Sequence, residues 1–130
     1  MAVLQFWGFP ACKTGDFHFA ILGIFSLQET AIPEIDAAFL DPDWAVSGPE
    51  HEYRFRNSNT RPPSDILLNL IFLKTENVTL IQPPFIDPGE FKHLPPHECE
   101  KLYLNGQHEL FCLHFGDLAN IIGDSEYRVE

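Results

Sequence analysis

The predicted fold is decided by residues 97–115, whose sequence is HECEKLYLNGQHELFCLHF. Asn105-Gly106 lies between two strand-like runs and favours a two-residue type I′ turn, because both central positions need a positive φ. A two-residue loop sets the register of the hairpin, with Leu104 opposite Gln107. Cys99 is then predicted to face Cys112, and His97 to face His114, all on one face of the hairpin.

Two imidazoles and two thiols so arranged suit tetrahedral zinc, which is bound by neutral histidine and cysteine thiolate. The predicted metal ligands are therefore His97, Cys99, Cys112 and His114. The same cysteine pair is close enough for a cross-strand disulfide in an oxidising environment. Packing without a ligand is the simpler interpretation and the one we prefer, since cysteine is commonly buried. No cofactor is thus the first expectation, and zinc is the alternative.

Outward from the hairpin, short apolar segments alternate with proline and glycine, a pattern typical of short strands. We predict about six or seven strands: Val3–Phe9, Phe17–Leu27, His51–Arg56, Ile66–Leu73, Val78–Gln82, Glu98–Leu104 and Gln107–Phe115. The run Ile66–Leu73 also fits a helix capped by Ser64. A strand is preferred there because residues 74–77 would turn it into the next strand.

Two short helices are predicted as well. Pro33 suits the first turn of a helix that carries Ile35, Ala38 and Phe39 and stops at Asp41-Pro42. Near the end of the chain, Asp117 is expected to cap a helix over Leu118, Ile121 and Ile122, ended by Gly123. The predicted fold class is α+β: a single sheet-dominated domain over residues 1–130, with mostly antiparallel strands and one or two short helices.

Charge restricts the classes of partner. The 130 residues contain 19 Asp+Glu against 8 Lys+Arg, a formal net charge of -11. This balance argues against nucleic acid and anionic membranes, which are bound by clustered basic side chains. No apolar run reaches the roughly 20 residues of a membrane-spanning helix. The 3 cysteines and the lack of a basic stretch before the first apolar run predict a cytoplasmic protein.

The acids gather in one tract that contains no lysine or arginine, from Glu29 to Glu52. Carboxylates around an exposable tryptophan are suited to bind a basic protein, because the ring supplies contact area and the acids steer the partner. The predicted partner-binding residues are Glu34, Asp36, Asp41, Asp43, Trp44, Glu50 and Glu52. The simpler alternative is a solvated acidic surface, with Trp44 packed back on the sheet.

Motifs that would select a reaction are absent: there is no phosphate-binding glycine loop, no Gly-x-Ser-x-Gly and no His-Glu-x-x-His. We therefore expect a small binding protein rather than an enzyme, an inhibitor or immunity-like factor that neutralises a basic partner such as a nuclease toxin by covering its active site. The alternative is a metal- or thiol-dependent protein, including a small enzyme, that uses the His/Cys patch. A third hypothesis is a structural subunit that pairs with a second copy of itself. The sequence leaves the oligomeric state open.

Overall fold

The computed structural model describes residues 36–44, 54–56, 58 and 60–130, together with the backbone of residues 3–7. Within this part of the chain one sheet has the strand order β1-β2-β3-β5-β4-β6. Its strands are β1 (Val3–Trp7), β2 (Ala37–Asp41), β3 (Val78–Gln82), β4 (His97–Leu104), β5 (Gln107–Phe115) and β6 (Gly123–Val129). The described residues also form the helix α1 (Ser64–Phe72) and two short 3₁₀ turns, Pro88–Phe91 and Gly116–Leu118.

The sheet is mixed. The pairs β1/β2, β2/β3 and β4/β6 are parallel, whereas β3/β5 and β4/β5 are antiparallel. The sheet-dominated α+β class is confirmed, and the prediction of mostly antiparallel strands is wrong. The reason lies in the connections, since parallel neighbours need a long crossover. The segment between β2 and β3 contains α1 and allows them to run in the same direction.

The predicted set of six or seven strands is only partly correct. The predicted strand Val3–Phe9 is β1 over Val3–Trp7, and its last two residues lie outside the described part. Val78–Gln82 and Gln107–Phe115 are strands with the predicted bounds, and β4 begins one residue before the predicted Glu98. Phe17–Leu27 lies outside the described residues. Of the predicted strand His51–Arg56, only residues 54–56 are described, and they form no strand.

The predicted strand Ile66–Leu73 is helical, in α1. Its buried apolar side chains, Leu67, Leu68 and Ile71, follow a helical spacing, and Pro63 and Asp65 suit the start of a helix. Ser64 does not cap it. Its hydroxyl instead accepts a hydrogen bond from Gln82 Nε2 at 2.8 Å, within a buried polar group that links α1 to β3.

The first predicted helix is wrong as well, because its described part is strand β2. Ala38 and Leu40 are buried, whereas Ala37, Phe39 and Asp41 are half-buried, which is the period of two of a strand. Ala38 pairs with Leu4 of β1 on one side and with Val78 of β3 on the other. Pairing on both sides outweighs the helical spacing of a few apolar residues.

The second predicted helix stops after the 3₁₀ turn Gly116–Leu118, and Gly123 begins a strand instead of ending a helix. Side chains of other elements bind the backbone donors of this segment. Asp117 N donates to Asn77 Oδ1 at 2.8 Å, and Asn120 N donates to Glu98 Oε1 at 3.0 Å. These bonds take the place of helical ones, and the chain bends through residues 120–122 before it enters β6.

The core lies on the side of the sheet that α1 and Phe91 cover. The strands contribute buried Ala38, Leu40, Val78, Leu80, Phe111, Leu113 and Phe115 to it. We call this side the core face. The other side carries Thr79 of β3, Glu98 and Glu100 of β4, and Cys112 and His114 of β5, and we call it the His114 face.

Candidate functional site

The turn of the hairpin forms as predicted, with φ of 51° at Asn105 and 81° at Gly106. Leu104 pairs with Gln107 and Tyr103 with His108. The next pair is Leu102 with Leu110, so Glu109 has no partner on β4 and forms a β-bulge. One extra residue on β5 moves every later side chain of that strand to the other face relative to β4.

The predicted pairing of Cys99 with Cys112, and of His97 with His114, is therefore wrong. Cys99 lies opposite Leu113, and His97 lies opposite Phe115. The four predicted zinc ligands do not share a face, and the two thiols point to opposite sides of the sheet. Both thiols are free. Side chains that point apart cannot form a disulfide without backbone movement.

Cys99 and His97 belong to the core face. Cys99 is buried, and burial raises the pKa of its thiol to about 11. The imidazole Nδ1 of His97 is 2.8 Å from the carbonyl oxygen of Pro95, and its ring packs 5.1 Å from that of Phe115. These contacts support packing as the role of both residues, which is the interpretation preferred from the sequence.

On the His114 face the bulge assembles a different cluster. A carboxylate oxygen of Glu100, the sulfur of Cys112 and a ring nitrogen of His114 lie within 4.8 Å of one another. His114 Nε2 is 3.2 Å from Glu100 Oε1, and its Nδ1 is 2.8 Å from Thr79 Oγ1. The imidazole thus links a hydroxyl on β3 to a carboxylate on β4. Glu100 was not predicted as a site residue, because without the bulge it faces away from both Cys112 and His114.

The Cys112 thiol is protonated at neutral pH. Burial, together with the carboxylates of Glu100 and Asp41, which repel a thiolate, raises its pKa to about 12. A nucleophilic cysteine needs a lowered pKa and a positive surrounding. The arrangement therefore does not favour cysteine–histidine nucleophilic catalysis at this site.

Glu98 is a buried carboxylate next to the cluster, with 4% of its surface exposed. Its oxygens accept a hydrogen bond from Ser125 Oγ at 2.6 Å and one from Asn120 N at 3.0 Å. Burial alone raises the pKa of this carboxyl, but these hydrogen bonds and the neighbouring His114 outweigh it and hold the pKa below its ordinary value. The His114 face therefore carries a second negative charge beside Glu100.

The predicted partner-binding residues are only partly described, since Glu34, Glu50 and Glu52 lie outside the described residues. Asp36 is exposed. Asp41 is half-buried on β2, and burial followed by the repulsion of Asp43 raises the pKa of its carboxyl. Asp43 forms an ion pair with Arg61 at 2.7 Å. Trp44 packs partly buried against the core, as the simpler alternative expects.

A more exposed surface lies at the β6 end of the sheet, which the sequence interpretation missed. Among the described residues β6 pairs with β4 alone, and all its side chains except Ser125 are exposed. Tyr127 is 56% exposed, Val129 40% and Leu104 44%, and the register places all three on one side of the sheet. The alternation in residues 123–130, GDSEYRVE, was the available signal for a strand.

A groove of about 640 Å³ lies on the core side, between the turn Pro88–Phe91 and the start of β6. It is bordered by Lys92, His97, Cys99 and Asp124, among others. Within the described residues, the group of three metal-ligating side chains occurs at Glu100, Cys112 and His114, not in this groove. The groove thus combines opposite charges with apolar walls and shows no convergent reactive set.

Comparison with known proteins adds no family. No protein-family model matches the sequence, and the curated proteins contain no significant match to it. Among the described residues no helix is long and apolar enough to cross a membrane. Function therefore has to be inferred from the side chains of the β6 end and of the His114 face.

Proposed function

We propose that this protein is a small acidic binding protein of the cytoplasm. It acts as an inhibitor or immunity-like factor and neutralises a basic protein partner, such as a nuclease toxin, by covering the partner's active site. The observation that carries the proposal is the exposed β6 end of the sheet, which presents apolar side chains on one side of the strand and carboxylates on the other. We call Leu104, Asp124, Glu126, Tyr127 and Val129 the β6 surface.

The apolar part of this surface supplies the contact area. Exposed tyrosine and branched apolar side chains are the groups that anchor protein interfaces once they are desolvated. The outer edge of β6 also offers backbone donors and acceptors, and a strand of another protein can pair with such an edge. The occupant we propose is a strand of the basic partner.

The charged part selects a basic partner. Residues 123–130 contain Asp124, Glu126 and Glu130 against a single base, Arg128. Arg128 is held within the chain, since it lies 3.0 Å from Glu126 Oε2 and stacks 4.1 Å above the ring of Tyr103. Together with the net charge of -11, this arrangement favours encounter with a positively charged protein. The acidic tract around Trp44 remains a second proposed contact surface.

The test is a binding and inhibition assay with purified basic nuclease domains from the same host, with acidic proteins of similar size as controls. At least one basic nuclease is expected to bind and lose activity. Tyr127→Ala should speed dissociation, and Asp124→Lys should slow association by roughly tenfold at low salt. Asp36→Lys, in the same assay, tests the acidic tract around Trp44 as the second contact surface. Equal binding by wild type and both β6 variants would reject the β6 surface, and failure to inhibit any basic nuclease would contradict the inhibitor role.

A second candidate function, that of a metal- or thiol-dependent protein, is favoured by one observation. Glu100, Cys112 and His114 bring three potential ligand atoms within 4.8 Å of one another. Because the Cys112 pKa is raised to about 12, thiol chemistry without a metal is disfavoured at neutral pH. Of the two forms of this candidate, metal binding has the better support.

A further inference from the structure

We infer that the His114 face binds a zinc ion through Glu100, Cys112 and His114. The site differs from the one predicted from the sequence, because it excludes His97 and Cys99 and includes a carboxylate. The inference deepens the second candidate function and is independent of partner binding at the β6 surface. It rests on the donor set, the spacing of the donors and the groups behind them.

The donor set is one sulfur, one imidazole nitrogen and one carboxylate oxygen. Zinc accepts all three kinds of ligand, whereas magnesium and calcium prefer oxygen alone. Three protein ligands leave one tetrahedral position for water or a substrate atom, as in catalytic zinc sites. The donor set therefore points to zinc with an open fourth position.

The spacing is close to that of a tetrahedral site. With zinc–ligand bonds of about 2.0–2.3 Å, donor atoms around the ion lie roughly 3.5 Å apart. His114 Nε2 and Glu100 Oε1 are already 3.2 Å apart, and all three donors lie within 4.8 Å of one another. The side chains of Glu100 and His114 are 25% and 19% exposed, so an ion can enter from solvent. Small side-chain adjustments suffice, because β4 and β5 hold the backbones in register.

Thr79 supports the histidine from behind. A metal-binding histidine usually has its other ring nitrogen hydrogen-bonded, which fixes the tautomer and the ring orientation. The hydroxyl of Thr79 lies 2.8 Å from His114 Nδ1, which leaves Nε2 as the ligand atom. Three neighbouring strands thus contribute to one site: Thr79 from β3, Cys112 and His114 from β5, and Glu100 from β4.

The surrounding charge favours a cation. Glu98 of β4 lies opposite His114, and its carboxylate oxygens accept hydrogen bonds from Ser125 Oγ and Asn120 N. Among the described residues, Glu100 Oε1 contacts His114 Nε2 at 3.2 Å, and Lys101 of β4 lies on the core face. On binding, the S–H bond of Cys112 breaks, a Zn–S bond forms and the proton passes to the buffer. No oxidation or reduction is involved.

The test is a titration of the purified protein with zinc alone, by calorimetry, and with cobalt(II), by absorption spectroscopy. We expect one zinc per chain and a thiolate-to-cobalt charge-transfer band. Cys112→Ser should abolish the band and weaken zinc binding by more than about 100-fold, and Thr79→Val should weaken it by about 10-fold. Cys99→Ser and His97→Ala, on the core face, are the matched controls and should keep both signals.

Absence of zinc binding at micromolar concentration would overturn the site, and so would an equal loss of binding in Cys99→Ser and Cys112→Ser. Thermal unfolding of each variant without metal separates a folding defect from a lost ligand. The titration needs neither substrate nor partner, so its failure concerns the site alone. Failure of the second candidate function would instead appear as a zinc-bound protein whose biological activity is the same in wild type and Cys112→Ser.

Discussion

The two faces of the β4–β5 hairpin are built from alternate residues of the same strands but differ in chemistry. The core face has Phe111, Leu113 and Phe115, all at most 2% exposed, in contact with α1 and Phe91. The His114 face has Glu100, Cys112 and His114, half-buried and linked by polar contacts. The core face supplies stability, and the His114 face supplies the groups that can bind an ion.

The bulge at Glu109 determines which side chains of β5 share a face with which side chains of β4. If Glu109 were paired and the register of the turn continued unchanged along both strands, Cys112 and His114 would lie on the same side as Cys99 and His97. With the bulge, the apolar Leu113 and Phe115 occupy the core positions opposite Cys99 and His97. Burial of large apolar side chains is favourable by roughly 1.5–3 kcal/mol each, which makes the bulged register the more stable arrangement.

The largest expected effect on folding comes from deleting one residue of β4, in comparison with deleting the bulge residue Glu109 of β5. Deletion of Lys101 would turn Glu98 and Glu100 toward the core face, and burying unpaired carboxylates costs several kcal/mol. We expect this variant not to fold, as measured by circular dichroism. Deletion of Glu109 is the matched control, since it removes the bulge and preserves the pairing of Leu102 with Leu110. A folded Lys101 deletion with native stability would contradict the assignment of the faces.

Truncation of one side chain on each face should give the next largest difference. Phe111→Ala removes a ring that packs 5.5 Å from that of Phe91, and we expect a loss of about 3–5 kcal/mol in the free energy of unfolding. Cys112→Ala, on the adjacent residue, should cost about 1 kcal/mol. Urea denaturation at neutral pH without metal measures both values. Similar losses in the two variants would mean that the faces do not differ in packing.

Glu98 gives the His114 face a pH-dependent contribution to stability. Its pKa in the folded protein lies below the ordinary value, so its stabilisation is present above the ordinary pKa and is lost as pH falls through the folded value. Glu98→Gln should cost about 1.5–3 kcal/mol at neutral pH, and less in acid, where the wild type loses the same stabilisation. Urea midpoints across the acidic range test this. Glu126→Gln is the exposed control, and a constant difference between wild type and Glu98→Gln would refute the expectation.

The smallest expected effect on stability concerns the Asn105-Gly106 turn, which sets the pairing of β4 with β5 as far as the bulge at Glu109. Gly106 has a φ of 81°, and no atom lies within 4 Å of a Cβ added there. Gly106→Ala should therefore cost only about 1 kcal/mol, from backbone strain. Gly89→Ala serves as control, because a Cβ there meets Asp87 Oδ1 at an ordinary 3.4 Å. Thermal unfolding compares the two, and equal effects would argue against a left-handed turn at Gly106.

The parts of the fold that the sequence predicts well are those governed by local chemistry. The Asn105-Gly106 turn needs only two residues with positive φ, and β3 and β5 are short apolar runs bounded by turn residues. Helix α1 was missed because a short apolar run fits a buried strand and a helix equally well. Strand β2 was missed because its pairing with β1 and β3 is non-local.

The candidate site was only half predicted for a similar reason. Cys112 and His114 were identified, because cysteine and histidine two residues apart lie on one face of a strand. Their true neighbour Glu100 depends on the bulge at Glu109, and no local signal in the sequence predicts a bulge there. Because Glu109 is unpaired, the cluster contains the carboxylate of Glu100 and not the side chains of His97 and Cys99.

The register of the hairpin beyond Glu109 decides whether the His114 face and its zinc site exist, and nuclear Overhauser contacts in the isotope-labelled protein measure it directly. We expect contacts from the Cys99 side chain to the methyl groups of Leu113, and from the Cys112 side chain to that of Glu100, its partner on β4. A contact between the Cys99 and Cys112 side chains, without one from Cys112 to Glu100, would contradict the bulged register and with it the zinc site on the His114 face.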